Sequence, residues 1–556
     1  MMDEVRQPLL LAEDEDTDSD GSSSSVSRKL YSTISAAKPL LHAATCKNGK
    51  VVFKKLEGPP SDDGAEKVSE AGLTVYTRRW YVLVMFCLFN ATQTAVWSTF
   101  GSIAATSEHA FGWNDGTIAL LNNWGQICYV IACFVFSWMM DVKGLRAACV
   151  SSMFLVALGA SVRCISVEPP TVTWTMHLGS ILNGLGGPVT MAGPAVLSAV
   201  WFPTHERTTA TAIGAIMSGL GNGVSFLLGP QIVPLPPANM SSSPLIESRT
   251  TVSSVTWTDQ SSAVFSNNFT QQYSPDELYI EDQNRIEKER HAIQLLMYIE
   301  AAWSIGLFVI MVIYFPKKPP QPPCVSAALQ RENFVDGLKQ LKARPHFWIL
   351  VAAYGVATGV NSCWITVLDV ILKPFGITEQ RAGWIGFYSV CGSIFMALAV
   401  ARFADKVKRI HKWIVFVFYV ICCVAYLIFS LACIEVIPSS TVLLYTTIIV
   451  GYVAITSAIP FLYELACELA YPVGEATSNG ILTMVNNFTG IIFLLVLMIP
   501  NIGTMWTNWT QIGAVACCLP LLLALRERYN RLEVDERLPD MATINIEVVV
   551  PAPQDS

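Results

Sequence analysis

Ser137-Trp138-Met139-Met140-Asp141-Val142-Lys143-Gly144-Leu145-Arg146 and Ala401-Arg402-Phe403-Ala404-Asp405-Lys406-Val407-Lys408-Arg409 read as two copies of one device. Each sets a small residue four positions before an aspartate, with cations just after it. The aspartates stand 264 positions apart, which fits a chain built from two repeated halves. The small residue lets a neighbouring helix come close. The aspartate can then pair with a cation or with the positive N-terminus of that neighbour.

The sequence around the two copies is that of a membrane protein. Of 556 residues, 52% are hydrophobic and 14% charged, where a soluble domain carries about 25% charged residues. Mean hydropathy is +0.44. These figures exclude a soluble multi-domain enzyme, a disordered protein and a nucleic-acid binder, and the net charge of −7 argues against a polyanionic partner. Apolar stretches of about 20 residues or more recur near 79–104, 116–140, 145–166, 173–201, 207–231, 291–315, 346–372, 380–402, 411–434, 440–470, 476–499 and 509–526. In lipid every backbone amide needs an internal partner, so these stretches are expected to be helices. The expectation is an all-α membrane protein of twelve transmembrane helices, six and six, with pseudo-symmetry between residues 78–231 plus 291–315 and residues 346–526.

Lys and Arg set the expected orientation. With the N-terminus in the cytosol, the cytosolic short loops hold 14 basic residues and the opposite loops three, namely Arg163, Lys373 and Arg381. Residues 1–77 are expected to be a disordered cytosolic tail, with an acidic run from Glu13 to Asp20, and 527–556 a second cytosolic tail. Leu9 and Leu10 follow Arg6-Gln7-Pro8 as a candidate sorting signal, a handle for sorting adaptors. No signal peptide is evident in the tail. The loop 232–290 falls on the non-cytosolic side and contains sequons at Asn239 and Asn268, candidates for glycosylation. Linker 316–345 carries an amphipathic run, Val325 to Lys342, expected on the membrane surface.

No phosphate loop, nucleophile–base pair or metal cluster appears, so neither an enzyme nor a cofactor is expected. Fifteen cysteines fall almost wholly inside apolar stretches, apart from Cys46 and Cys324, and read as small apolar residues. Seven histidines are scattered. His177, in a helix, is a packing residue or a haem ligand.

Intramembrane ionisable groups draw attention because they are costly. Glu300 sits nine residues into the sixth stretch with no sequence-neighbouring cation, and is either a proton carrier or a structural hydrogen-bonding group. Glu464 and Glu468 share a face at i, i+4 near the cytosolic end of the tenth stretch. They are candidates for a gate network with Asp141, Arg146 and Asp405, pairing with cations of the loops after helices two and four. Asn90, Gln93 and Trp97 form a stripe on the first helix; Trp124, Asn183, Asn361 and Trp364 add polar and aromatic faces. An organic solute needs stacking surfaces and a few hydrogen bonds, and an organic cation favours Trp faces. Gln93, Trp97, Trp124, Asn183, Asn361 and Trp364 are therefore the candidate substrate-binding set. The competing reading makes Trp97 and Trp364 interfacial belt residues and the Asn residues interhelical glue. Gly219-x-x-x-Gly223 and the glycines of 184–193 serve close helix packing or bending.

Several stretches resemble solute carrier family 49, a branch of the major facilitator superfamily, and within it the member 4 type. They are Leu182-Asn183-Gly184-Leu185-Gly186-Gly187-Pro188, Trp201-Phe202-Pro203-Thr204-His205-Glu206-Arg207-Thr208-Thr209-Ala210, Ala382-Gly383-Trp384-Ile385-Gly386-Phe387, and Tyr463-Glu464-Leu465 with Glu468 and Tyr471-Pro472. The resemblance covers about 78–532 and implies a transporter of a small organic solute, with protons as the second partner. It implies a lysosomal membrane location and pyridoxine as the solute, with choline or haem for other relatives. Positions carried over by the resemblance are Gln93, Trp97, Trp124, Asn183, Glu300, Trp364 and Asp369. A transport-inactive sensor or scaffold on the same fold is the alternative of a different class.

Overall fold

The computed structural model describes residues 44–47, 50–53, 75–234, 275–328, 334–365, 368–372, 379–407, 409–438, 440–497 and 505–543, with single residues at 375, 377 and 499. Leu9, Leu10, Asn239 and Asn268 lie outside the described residues.

Two units are distinct. The first holds a two-stranded antiparallel ribbon, β1 (Ala44–Lys47) and β2 (Lys50–Phe53), with Thr45 opposite Val52 and Cys46 opposite Val51. A wholly unstructured tail was the expectation for 1–77, and the ribbon departs from it. Its sequence signal is Asn48-Gly49, the pair favoured in two-residue hairpin turns, between short runs that include β-branched residues.

The second unit, Leu73–Glu536, is helical. Its first half contains α1 (Arg78–Ser102), a short α2 (Ala104–Phe111), α3 (Asp115–Trp138), α4 (Leu145–Arg163), α5 (Thr171–Trp201), α6 (Arg207–Ile232) and α7 (Pro275–Ile313). A linker carries α8 (Val325–Ala328) and α9 (Phe334–Lys342). The second half contains α10 (Pro345–Trp364), a short α11 (Leu368–Leu372), α12 (Glu379–Val407), α13 (His411–Cys433), α14 (Thr441–Ala470), α15 (Glu475–Leu497) and α16 (Met505–Ala524), and α17 (Asn530–Thr543) follows. Setting aside the short α2 and α11, each half has six long helices, and each half has its own apolar core.

Among the described residues, eleven helices are long and apolar enough to cross a membrane. The twelfth long helix, α5, is not, because glycine, proline and polar residues dilute its hydropathy. It packs against α3, α4, α6 and α15, so much of its surface meets protein rather than lipid. A Cβ on Gly184 would lie 2.9 Å from the Trp124 carbonyl oxygen, and one on Gly193 2.8 Å from the Phe86 ring. In the expected Gly219-x-x-x-Gly223 pair, a Cβ would meet only ordinary contacts, at 3.5 and 3.7 Å. Gly221 between them is the tight position: a side chain there would strike the Ala91 backbone of α1.

Three expected boundaries shift. α7 starts at Pro275, so the end of the expected loop 232–290 is helical. The seventh stretch, 346–372, breaks after Trp364 into α10 and α11. The amphipathic run of the linker is two helices, and α9 buries Gly337 and Leu341, with Gly337 against Val473, instead of lying free on a membrane surface.

Candidate functional site

The Lys- and Arg-rich helix ends together make up one end of the bundle, the basic end. There each half caps a helix of the other. Asp141 sits in a π-helical turn, Met139–Lys143, that ends α3. Its carboxylate accepts from the backbone N–H of Ala476 (3.1 Å) and Thr477 (2.9 Å) and from the Thr477 hydroxyl (2.5 Å), at the start of α15. Asp405, near the end of α12, accepts from the N–H of Thr208 (3.0 Å) and Thr209 (2.9 Å) and from the Thr209 hydroxyl (2.5 Å), at the start of α6. The first amides of a helix lack intrahelical partners and carry the positive end of its dipole, so each aspartate satisfies both needs from across the boundary. Gly474 is glycine because any Cβ would collide with the Asp141 carboxylate. The donors were not singled out in the sequence, although a signal existed: Thr209 and Thr477 each follow a charged residue by two at the start of a helix, 268 positions apart.

A buried charge cluster lies beside these caps. Glu464 accepts from Ser198 on α5 (3.3 Å) and Thr211 on α6 (2.5 Å), and Arg531 reaches its other oxygen at 2.5 Å. Glu468 accepts from the Arg531 Nε at 3.3 Å and from the backbone N–H of Arg531 and Leu532. Glu475 stands 3.6 Å from the Arg531 Nη1. Arg207, the cation of the loop after helix four, acts on both carboxylates at longer range, but it is not their bonded partner. That partner is Arg531, 1% exposed, from the segment expected to be a plain tail. Burial works against the charge on Arg531, and Glu464, Glu468 and Glu475 more than restore it, holding the guanidinium above its ordinary pKa. Four residues on, Asp535 receives hydrogen bonds from Arg207 of α6 (3.2 Å) and from Ser326 of α8. The start of α17 thus joins both halves. Arg146 does not: it donates to the Val312 carbonyl on α7, within its own half.

Further from the basic end the halves still touch. Tyr129 bonds the Thr483 hydroxyl, Cys133 donates to the Gly480 carbonyl at 3.1 Å, and Gln126 reaches the Cys363 sulfur at 3.4 Å.

The substrate candidates separate into two groups. Gln93 and Asn183 are buried and tie α1 to α5: Asn183 donates to the Gln93 carbonyl at 3.2 Å, and Thr190 donates to Gln93 Oε1 at 3.2 Å. Asn361 accepts from Tyr426 (2.8 Å) and Gln511 (3.2 Å), and Trp364, fully buried, donates to Asn508 at 2.8 Å. These four act as interhelical ties. Trp97 and Trp124 are only partly buried; Trp97 donates to the Asn122 carbonyl at 2.6 Å and Trp124 to His177 Nδ1 at 3.0 Å. Asp369 falls in α11, and its side chain lies outside the described residues.

Glu300 has a cation after all. Arg163, counted from sequence as a loop residue, is 1% exposed inside the bundle with its Nη1 3.9 Å from Glu300 Oε2. It also donates to the Val96 carbonyl (2.8 Å) and Ser180 (2.9 Å), while Thr99 donates to Glu300 Oε1 at 2.6 Å. Thirteen residues separate Glu300 from Ile313, so it stands about 20 Å from the basic end of α7. Among the described residues no His/Cys/Asp/Glu group could hold a metal ion, and every cysteine with a described side chain is free.

The family model described as Major Facilitator Superfamily matches residues 82–237 and 289–494. Solute carrier family 49 member 4 homolog of Xenopus tropicalis is 32% identical over 465 residues, 83% of this chain and 94% of the relative. Choline/ethanolamine transporter FLVCR1 of Mus musculus is 27% identical over 425 residues, 75% and 69% of the two chains. Among solved structures, a variant of the E. coli fucose:proton symporter FucP aligns with a TM-score of 0.57 at 13% identity, covering 81% of this chain and 99% of that one. The human organic anion transporter MFSD10 aligns with a TM-score of 0.54 at 12% identity, covering 80% and 100%.

Proposed function

We propose, from the premise that this chain belongs to the major facilitator superfamily and within it to solute carrier family 49, that it moves a small organic solute by alternating access, coupled to protons. The observation that carries the reading is the pair of reciprocal caps. Asp141 and Asp405 hold the basic end shut with few, directional, water-replaceable bonds at matched positions in the two halves. A boundary of that kind separates without unfolding either half, whereas each half's own core is apolar.

The basic end faces the cytosol in this reading, by the Lys and Arg excess of its loops. The solute is of the pyridoxine class, and the membrane is lysosomal, as the resemblance to the member 4 type implies; the likeness to the member 4 homolog supports the family. A quaternary ammonium such as choline is the second reading, favoured by the partly open Trp97 and Trp124 faces and by the likeness to the choline/ethanolamine transporter. Glu300 carries the proton, with Arg163 and Thr99 holding its carboxylate when charged. Asn239 and Asn268 are glycosylated on the far side, and Leu9 and Leu10 engage sorting adaptors.

The test is uptake of radiolabelled pyridoxine and choline at acidic and neutral pH, in cells carrying Leu9→Ala and Leu10→Ala so that protein reaches the surface. Proton-driven uptake of one solute, lost in Glu300→Gln, is expected. Unchanged proton-driven uptake in Glu300→Gln refutes the role of Glu300. No movement of any solute under any gradient favours the sensor or scaffold.

A further inference from the structure

An open groove of about 820 Å³ is lined by residues of the first half and the start of the linker. It runs between the end of α3, the start of α4 and the end of α7. Its floor is apolar: Trp138, Val150, Phe154, Phe308 and Val312. Lys143, Arg146 and Lys317 also line it. Arg146 is steadied by its bond to the Val312 carbonyl, and the Lys143 ammonium stands 5.7 Å from the Trp138 ring centroid. Gly144, at φ +92°, takes a backbone turn that side chains rarely adopt, and a Cβ there would meet the Lys317 chain only at an ordinary 3.6 Å. Among the described residues no carboxylate pairs with any of the three cations, since the nearby Asp141 is engaged by α15.

Three uncompensated cations on an apolar floor, at the membrane-facing edge of a helical bundle, match an anionic lipid: headgroup at the rim, acyl chain along the floor. One phosphodiester charge would leave two of the cations unanswered. We infer that this groove binds a phosphoinositide, a phospholipid whose inositol ring bears added phosphate, from the leaflet at the basic end. The inference needs the membrane location and not the transport mechanism.

The test is native mass spectrometry of the full chain purified in detergent, titrated with phosphatidylinositol 4-phosphate, phosphatidylserine and phosphatidylcholine. The first is expected to be retained most tightly. Each cation near such a charge is worth about five-fold in affinity, so Lys143→Gln with Arg146→Gln and Lys317→Gln should weaken retention on the order of 100-fold. Val150→Trp fills the floor while leaving the charges, and should also displace the lipid; it keeps the test decisive if the triple variant folds poorly. Equal retention of the three lipids by the unaltered protein overturns the inference, as does undiminished retention in the Val150→Trp variant.

Discussion

Replacing Arg531 by Met keeps most of the side-chain volume and removes the only cation bonded to Glu464 and Glu468 among the described residues. In the closed form those carboxylates, with Glu475, are 3 to 6% exposed. Breaking a buried pair by removing one partner typically costs about 3–5 kcal/mol, because the other charge stays buried without an answer. In the proposed transport cycle, opening the basic end admits water to the carboxylates, so the penalty falls on the closed form alone. At the lower bound of about 3 kcal/mol the closed-to-open ratio falls on the order of 100-fold, at about 1.36 kcal/mol per factor of ten. Cys467 reports this directly: it lies between the two glutamates on α14 and is 2% exposed. With Cys46 and the exposed Cys517 replaced by Ser, a membrane-impermeant maleimide applied to the basic side should modify Cys467 on the order of 100 times faster in Arg531→Met. Adding Glu464→Gln and Glu468→Gln should slow the reaction again, since no uncompensated charge then remains at those positions. A labelling rate within two-fold of the unaltered protein, in a variant that is folded and inserted, would refute the reasoning.

Asp141→Ala and Asp405→Ala each delete a cap, worth about 0.5–2 kcal/mol by analogy with caps inside one chain segment. Spin-label distances between the halves at the basic end should lengthen by similar amounts in either variant and further in both together. Gly221→Val drives a side chain into the Ala91 backbone and should lower stability by at least the about 1–3 kcal/mol of an overpacked core, while Gly219→Ala should change the detergent melting temperature little. Burial raises the Glu527 carboxyl above its ordinary pKa, against the pull of Tyr529 and Lys412. A carboxyl raised in the folded state holds its proton more tightly there, so stability falls as pH rises from the ordinary carboxylate range through the raised value. Glu527→Gln should flatten that part of a melting-temperature series taken across acidic pH.

The helices were legible because lipid leaves the backbone no alternative, and the repeat was legible because Asp141 and Asp405 sit in matching local patterns. Even α5, too polar to qualify by the stricter hydropathy measure, stood out as a long, largely apolar stretch at 173–201. What could not be read was any pairing between distant segments. Arg163 looks like a loop cation, since it ends its helix, and only the packing of α1, α5 and α7 around it makes it a buried partner for Glu300. Arg531 lies in a stretch with no apolar period, where charge suggests a solvated tail. Gln93, Asn183, Asn361 and Trp364 have the chemistry of ligand contacts, yet the sequence does not say whether an amide faces a solute or a neighbouring helix.

The two halves also differ where their topology is the same. In the first half, residues of the first, third and sixth long helices meet as Thr99, Arg163 and Glu300. In the second half the corresponding helices meet as Asn361, Tyr426 and Gln511, through the Tyr426 and Gln511 bonds to Asn361 Oδ1. The offsets from Thr99 to Asn361 and from Arg163 to Tyr426 are close to the 264 that separates Asp141 from Asp405. One half thus uses an ion pair where the other uses neutral hydrogen bonds. If the junction served packing alone, the neutral version would suffice in both, since a buried ion pair is a weak route to stability. The charged junction therefore calls for a further reason, and a proton that enters and leaves at Glu300 supplies one. Rebuilding the first junction in neutral form, with Arg163→Gln and Glu300→Gln together, should keep the fold and its melting temperature while abolishing any dependence of uptake on a proton gradient. Loss of the folded protein in that double variant would instead assign the pair to structure.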